Sequence, residues 1–302
     1  MTSVGAISLA AIGSFVVVLL VLVRRRGVTT LDYYLAGRRI GVATNASAIC
    51  GDYFSAASFL GVAAAVYASG LDGVWYATGF AAGFVPVGLF IAAPLRRFGE
   101  FSLPDFLGQR LDSDAARIGA VVVVQLVIVC YLVPQAVGNG LTWELLVGVG
   151  MFGLSAYDTG VAVTSVAIAG FVMFGGMRGT TWTQALQFLF LLSVLAWLTG
   201  AAIASGFAYG PSVARLGAEP LRNPVETEDG WQLQVQSSAL RPDEPARFDR
   251  PGARYDSIGQ FALVLTLMLG TAGLPHVMNR YFTSTSGRAA RMTTVWVLGL
   301  AG

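Results

Sequence analysis

The sequence contains no lysine, one histidine, two cysteines and little charge of either sign. Only 12% of its 302 residues are charged, whereas soluble domains carry about a quarter. The arginines form no basic stripe on a soluble face, which argues against nucleic-acid binding. Cys50 and Cys130 lie far apart in apolar segments, and His276 has no histidine partner, so neither a disulfide framework nor a zinc site is indicated. We therefore predict no enzyme and no bound cofactor.

Long apolar segments dominate what is present. Hydrophobic residues make up 55% of the chain, and they fall in segments close to the length of about 20 residues that spans a bilayer. We predict an all-α integral membrane protein with seven complete spans and the start of an eighth, at about 4–23, 44–68, 74–93, 118–146, 157–175, 182–206, 257–279 and from 293 onward.

The arginines give the orientation. The first span has no charge before it and Arg24–Arg26 after it, which is the reverse of a signal peptide and predicts a retained helix with its N-terminus outside. This orientation puts 13 of the 19 arginines, Arg280 among them, in short segments on the inside. The other six lie in residues 207–256 together with eight acidic residues. We predict that this segment is an irregular external loop.

A second polar stretch, residues 101–117, is predicted to lie on the inside. Ser102 resembles a helix N-cap, because Pro104 and Asp105 follow it within the first turn. This pattern predicts a short amphipathic helix at the membrane surface.

Asp52 is the clearest functional candidate, because an ionisable residue at membrane depth is costly and needs a reason. It lies in the segment Gly51–Gly61, which is rich in glycine and small polar residues. Such a segment favours an unwound helix, whose bare carbonyl oxygens suit a cation such as sodium. The alternative is an intact helix with a polar residue that contacts its neighbours.

Residues 270–276 form a second interruption, five spans after the first. Pro275 removes a backbone donor and disfavours helix at Leu274, while Gly270 and Gly273 loosen the preceding turn. We interpret His276 beside them, near the inner end of its span, as a structural residue; the alternative is a proton relay. Broken helices in corresponding positions of two five-helix repeats, inverted relative to each other, are typical of transporters that bind their substrate at the bilayer midplane.

Four motifs in this order resemble the solute:sodium symporters, specifically the bacterial cation/acetate symporter (acetate permease) branch. They are Leu31–Arg38, Gly51–Gly61, Gly175–Gln184 and Gly270–His276. The resemblance runs from about residue 30 to the end of the sequence. It implies uptake of acetate or another short monocarboxylate with sodium as the coupling ion. Ser286 stands where the acetate branch has aspartate, so another monocarboxylate remains open.

The resemblance implies a LeuT-like inverted-repeat transporter fold with one extra N-terminal helix, truncated in the second repeat. The expected parts are a leading helix at 1–26, a first five-helix repeat at 27–206, the external loop at 207–256 and the start of the inverted repeat at 257–302. The protein would be a multi-pass protein of the inner (plasma) membrane, with the lipid bilayer, sodium and a carboxylate as its partners.

The resemblance also assigns roles by position. Gly51 and Phe54 would offer backbone carbonyls to sodium, as half of a cation site. The substrate is predicted to bind at the two interruptions, at Asp52, Tyr53, Ser55, Thr271 and Gly273. An ionised Asp52 beside an anionic substrate needs a compensating cation, so the ion is expected to bind first. The alternative function is a symporter-like membrane sensor or a non-transporting fragment.

Overall fold

The computed structural model describes residues 29–99, 101–227 and 230–302, so the leading helix predicted at 1–26 lies outside the described residues. The chain divides into two compact units. The first unit contains residues up to 57, 87–188 and 274–300, and the second contains 58–86, 189–273 and the last two residues.

The described residues are mainly helical. In chain order the helices are α1 (Thr30–Leu35), α2 (Val42–Tyr53), α3 (Ala56–Ser69), α4 (Leu71–Ala82), α5 (Phe84–Pro86), α6 (Ala92–Phe98), α7 (Leu103–Arg110), α8 (Asp114–Leu146), α9 (Ala156–Ala204), α10 (Tyr209–Gly217), α11 (Ser257–Ala272), α12 (Pro275–Phe282) and α13 (Gly287–Ala301). A 3-10 turn occupies Ala36–Arg38, and a π-helical segment, Val87–Ile91, joins α5 to α6. Strands β1 (Arg222–Thr227) and β2 (Gly230–Val235) pair antiparallel.

Three helical runs among the described residues are long and apolar enough to cross a membrane: Leu71–Phe98, Asp114–Leu146 and Ala156–Ala204. The broken pair Ser257–Ala272 and Pro275–Phe282 makes a fourth when it is counted as one span. The sequence predicted seven complete spans; the one at 4–23 lies outside the described residues, and two features lower the count among the other six. The span predicted at 44–68 consists of separate helices, α2 and α3, of 12 and 14 residues. The two spans predicted at 157–175 and 182–206 count as one run because α9 continues from Ala156 to Ala204, with a kink at Gly176 between them.

Both predicted helix interruptions are present. The first lies a little later than Gly51, because α2 continues to Tyr53 and the chain leaves helical geometry at Phe54, with φ −75° and ψ 61°. The second lies at Gly273 and Leu274, and Pro275 takes the first position of α12, where its missing N–H costs nothing. Local signals from glycine and proline therefore gave the positions of both breaks to within a few residues.

A third interruption, inside α9, lies at a single residue. Gly176 has φ 54° and ψ −164°, a region that is open essentially to glycine alone. A Cβ at this position would also lie 2.8 Å from the carbonyl oxygen of Tyr33. The chain changes direction here without a loop, so the two predicted spans lie on either side of Gly176 as the two arms of α9.

Helix α12 forms much of the core of the first unit. Its Met278, Tyr281 and Phe282 are fully buried, together with Ile49 of α2 and Leu95 of α6. Because α12 contacts α2, α6 and α8, polar groups on its buried side must find partners on those helices or on the segments beside them.

The short helix predicted within residues 101–117 is present as α7, and its place at the membrane surface stays a prediction. The backbone N–H of Asp105 donates to the Ser102 hydroxyl, and that hydroxyl donates to the Asp105 carboxylate at 2.6 Å. Asp105 also pairs with Arg117, in the first turn of α8, at 2.7 Å.

The segment 207–256 is more ordered than predicted. It contains helix α10 and the β1–β2 hairpin, so the expectation of an irregular loop was wrong. The strands of the hairpin are only six residues long, so their alternation of polar and apolar residues is a weak signal for a strand. The prolines and glycines around them favour a loop, which is why the sequence did not predict the hairpin.

Asp72 of α4 fixes the end of this segment within the second unit. Its carboxylate is fully buried and accepts hydrogen bonds from the backbone N–H groups of Gly252 (2.8 Å), Arg254 (2.7 Å) and Tyr255 (3.2 Å). The side-chain amide of Gln260 donates a fourth bond at 3.3 Å. A buried carboxylate is tolerated when donors surround it in this way, so Asp72 ties residues 252–255 to α4.

We expect Asp72→Asn to lower the free energy of unfolding by about 2 kcal/mol, because an amide turns its NH₂ group toward backbone donors and leaves part of this cluster unsatisfied. Thermal unfolding of the purified protein in detergent measures the loss, and limited proteolysis measures the release of residues 207–256. Asp243→Asn is the matched control, since Asp243 is exposed in the same segment. Equal melting and equal cleavage of the two variants would contradict the role of Asp72.

Candidate functional site

Near its C-terminal end, helix α2 packs its backbone directly against the backbone of α9. A Cβ on Gly51 would overlap the carbonyl oxygen of Gln184 and lie 2.9 Å from its carbonyl carbon. The N–H of Ser55 donates to the Tyr53 carbonyl at 2.8 Å, rather than to Gly51 four residues back. The Gly51 carbonyl thus loses its helical donor at the point where two helices are in backbone contact.

Asp52 forms a buried bidentate ion pair with Arg280 of α12. Arg280 Nε lies 2.7 Å from Asp52 Oδ2, and Nη2 lies 3.0 Å from Oδ1. The Asp52 side chain is only 11% exposed, and the Arg280 side chain only 6%. This parallel pair of charge-assisted bonds is the strongest geometry that an arginine and a carboxylate adopt. It joins the end of α2 to the half-helix that follows the second interruption.

Thr181 of α9 holds the remaining side of the guanidinium. Arg280 Nη1 donates to the Thr181 hydroxyl at 2.7 Å, and this hydroxyl donates to the Met177 carbonyl at 2.6 Å. Thr181 lies little more than one turn after the bend at Gly176, so the bend in α9 determines where this hydroxyl points. Three helices therefore meet at Arg280.

The backbone of α12 is fixed from behind. Asn45 of α2 donates to the Arg280 carbonyl at 3.0 Å and to the Ser284 hydroxyl at 3.2 Å. The Thr283 hydroxyl donates to the same Arg280 carbonyl at 2.7 Å. The Arg280 carbonyl, near the C-terminal end of α12, also accepts the Thr283 N–H at 3.2 Å, so three donors hold the backbone from which the Arg280 side chain extends.

Two aromatic residues border the ion pair. The Tyr131 hydroxyl of α8 donates to the Asp52 carbonyl at 3.4 Å. The ring of Tyr131 packs on the ring of His276, with centroids 4.6 Å apart. His276 is one turn before Arg280 on α12 and was predicted to be structural; its packing on Tyr131 agrees with that interpretation.

Several buried polar atoms on the same helices have no hydrogen-bond partner among the described residues. They are Nε2 of Gln135 on α8, Oε1 of Gln184 on α9, and Nε2 of His276 and Oδ1 of Asn279 on α12. Buried polar atoms are nearly always satisfied by protein, water or ligand. These helices consequently carry hydrogen-bonding capacity that the described residues do not use.

The structure brings together the residues predicted around the first interruption. Gly51 and Tyr53 are buried, and Asp52, Phe54 and Ser55 are partly buried. The Phe54 ring stacks on Phe188 with centroids 5.9 Å apart. Two residues predicted around the second interruption lie in the other compact unit. Thr271 is buried at the end of α11, and Gly273 caps that helix. Their place in the substrate site stays a prediction.

Arg280 is the main residue that sequence reasoning missed. It was assigned to a short inside segment with the other flanking arginines, and that assignment was wrong, since it is buried within α12. One signal could have found it. Asp52 at membrane depth requires a cationic partner, and Arg280 lies beside the second break, where an inverted repeat would bring it near the first.

The arrangement suits recognition of a small anion beside a cation. A guanidinium in a largely buried setting binds a carboxylate through two parallel bonds, and the released carbonyl of Gly51 offers oxygen to a hard cation. A family model described as the sodium:solute symporter family matches residues 33–301 of the chain, a range that includes every residue of this site.

Proposed function

The chain belongs to the sodium:solute symporter family, and from that premise we propose that it imports acetate or another short monocarboxylate together with sodium. The family is one of transporters rather than enzymes, and together with the apolar helices it indicates a membrane protein that moves a solute with sodium. The proposal adds the acetate permease branch, a multi-pass LeuT-like fold in the plasma membrane, and the carboxylate itself.

The buried pair between Asp52 and Arg280 is the observation that carries the choice of substrate. Beyond its Cα, the aspartate side chain is a carboxymethyl group, which has the heavy atoms of acetate. Arg280 holds this group by two bonds of 2.7 and 3.0 Å. A short monocarboxylate offers the same two oxygens to the same guanidinium, so it can replace Asp52 there without a new binding geometry.

Charge balance explains the coupling to sodium. Asp52 and Arg280 together are neutral, and a carboxylate that enters alone leaves one negative charge in a poorly solvated site. One sodium ion restores neutrality by taking the place of Arg280 beside Asp52. Arg280 is then available to the substrate. The arrangement therefore favours ion binding first and predicts that neither ion enters efficiently alone.

The chain geometry supports a place for the sodium ion. Gly51 has lost its helical donor, the Ser55 N–H, to the Tyr53 carbonyl, and Phe54 has left helical geometry, which supports the proposal that both turn a carbonyl oxygen toward a cation. Asp52, Tyr53 and Ser55 surround the same break. The Thr181 hydroxyl, already bonded to Arg280, would help to hold the guanidinium when it exchanges partners.

Uptake by the purified full-length protein in proteoliposomes tests this function. We expect labelled acetate, propionate or pyruvate to accumulate with an inward sodium gradient and not with an equal potassium gradient. Asp52→Asn should reduce coupled uptake at least tenfold at equal insertion, because a neutral amide does not hold sodium against the competing charge of Arg280. Asp243→Asn, in the exposed segment, serves as the control. Equal uptake with and without sodium would overturn the coupling.

A further inference from the structure

Away from the ion pair, three segments of the first unit meet: the residues before α2, the end of α6 and the turn between α12 and α13. They bring five arginines to one surface. The Ile40 N–H donates to the Thr283 carbonyl at 3.3 Å. Arg96 donates to the carbonyl groups of Ser284 and Thr285. We call the surface formed by Arg38, Arg39, Arg96, Arg97 and Arg288 the arginine patch.

Close contacts join the members of the arginine patch. Arg38 donates to the Gly99 carbonyl at the end of α6. A Cβ on Gly287 would lie 3.1 Å from Nε of Arg97, so the guanidinium of Arg97 covers the residue directly before Arg288. The patch therefore belongs to one continuous surface and not to separate loops.

The arginine patch carries an excess of positive charge. Residues 33–51, 73–99 and 273–302 contain no aspartate or glutamate, and Glu100, which follows Gly99, lies outside the described residues. The side chains of Arg39, Arg97 and Arg288 are exposed. In the part of the chain that the structure describes, none of these three arginines forms a salt bridge. Asp32, the nearest acidic residue before the patch, accepts a hydrogen bond from Thr29 at 3.1 Å.

Apolar surface continues from the patch along α13. Arg288, Met292, Val295 and Gly299 follow one another at helical spacing and share a face. Met292 and Val295 are exposed. A shallow hollow of about 280 Å³, lined by Val295, Trp296, Gly299 and Leu300, lies further along the helix. At 1.5 Å per residue, its first lining residue is about 10 Å from Arg288 along the helix axis.

This combination has the two parts of a phospholipid site. Guanidinium groups at the ends of apolar helices lie at the level of lipid headgroups, and an exposed apolar face below them meets acyl chains. We propose that the arginine patch and this face of α13 bind an anionic phospholipid. Its phosphate contacts Arg97 and Arg288, and one acyl chain lies along Met292 and Val295 toward Gly299.

Native mass spectrometry of the full-length protein with added phosphatidylglycerol or phosphatidylcholine of identical acyl chains tests the proposal. Each basic residue near a membrane surface is worth about a fivefold change in binding of an anionic lipid. We expect Arg97→Gln with Arg288→Gln to lower retention of phosphatidylglycerol about 25-fold and that of phosphatidylcholine much less, because the choline group cancels the charge of its phosphate. The control, Arg215→Gln with Arg222→Gln, removes two exposed arginines of the 207–256 segment and should change neither.

A second variant tests the acyl part. A Cβ on Gly299 would meet no atom within 4 Å, so Gly299→Leu adds its side chain to the hollow without a clash. This variant should lower retention of both lipids by a similar factor. Excess inorganic phosphate should not displace the lipid. Equal retention of the two lipids by the unmodified protein, or full displacement by phosphate, would overturn the proposal. Sodium-dependent uptake is measured separately, so failure of lipid binding and failure of the transport function are distinguishable.

Discussion

Replacing Arg280 by glutamine is expected to lower the free energy of unfolding by about 3–5 kcal/mol and to abolish carboxylate uptake. The stability is lost because the Asp52 carboxylate stays buried without its cation. The Asp52 side chain is 11% exposed and the Arg280 side chain 6%. Unfolding in detergent gives the first quantity, and proteoliposome uptake at equal protein insertion gives the second. Arg280→Lys keeps the charge but loses the bidentate geometry, so it should recover part of the stability and little of the uptake.

A double-mutant cycle separates structure from function at this pair. Asp52→Asn combined with Arg280→Gln removes both charges, and the double variant should be more stable than Arg280→Gln alone. It should still fail to accumulate substrate, because neither a sodium-binding carboxylate nor a substrate-binding guanidinium remains. Restored uptake in the double variant would contradict the proposed exchange and would reduce the pair to a structural role.

Gly51→Ala is expected to cost about 3 kcal/mol and most of the uptake. The added methyl group meets the backbone of Gln184, with a separation of 2.9 Å from the carbonyl carbon. Backbone cannot rotate away as a side chain can, so α2 and α9 must separate. Separation moves Asp52 relative to Thr181 and Arg280, and the transport defect should therefore exceed what the stability loss explains.

Gly61→Ala is the matched control for this substitution. Gly61 lies in α3, on the other side of the same interruption, and a Cβ there meets nothing within 4 Å. Alanine is also the better helix former, so this variant should be neutral or slightly stabilising. Similar melting temperatures for the two variants would show that the contact at Gly51 is not restrictive.

The features that sequence predicted well are those encoded by neighbouring residues. The short helix α7 was found because Ser102, Pro104 and Asp105 are a local N-terminal signal, and the structure confirms its cap. The break before Pro275 was found because proline acts on the residue beside it. The first break was placed a few residues early, since Gly51 is present for a close helix contact and the chain unwinds only at Phe54.

The features that sequence missed are those made by distant residues. Asp72 gave no signal, because its donors are the backbone N–H groups of residues 180 or more positions away, and backbone donors have no side-chain signature. Arg280 gave the wrong signal. Beside a span end it looks like a flanking charge, and only packing decides whether such a residue reaches water or turns inward.

The sequence by itself determined the membrane class, the family resemblance, and the presence of Asp52 in an interrupted helix, because composition, apolar length and glycine or proline breaks act locally along the chain. The tertiary structure decided what Asp52 does. Its carboxylate pairs with Arg280, which is 228 residues away, and the bend at Gly176 brings Thr181 to the same guanidinium. Electrostatics in a buried site depends on distances of a few ångströms, and those are set only when the helices pack.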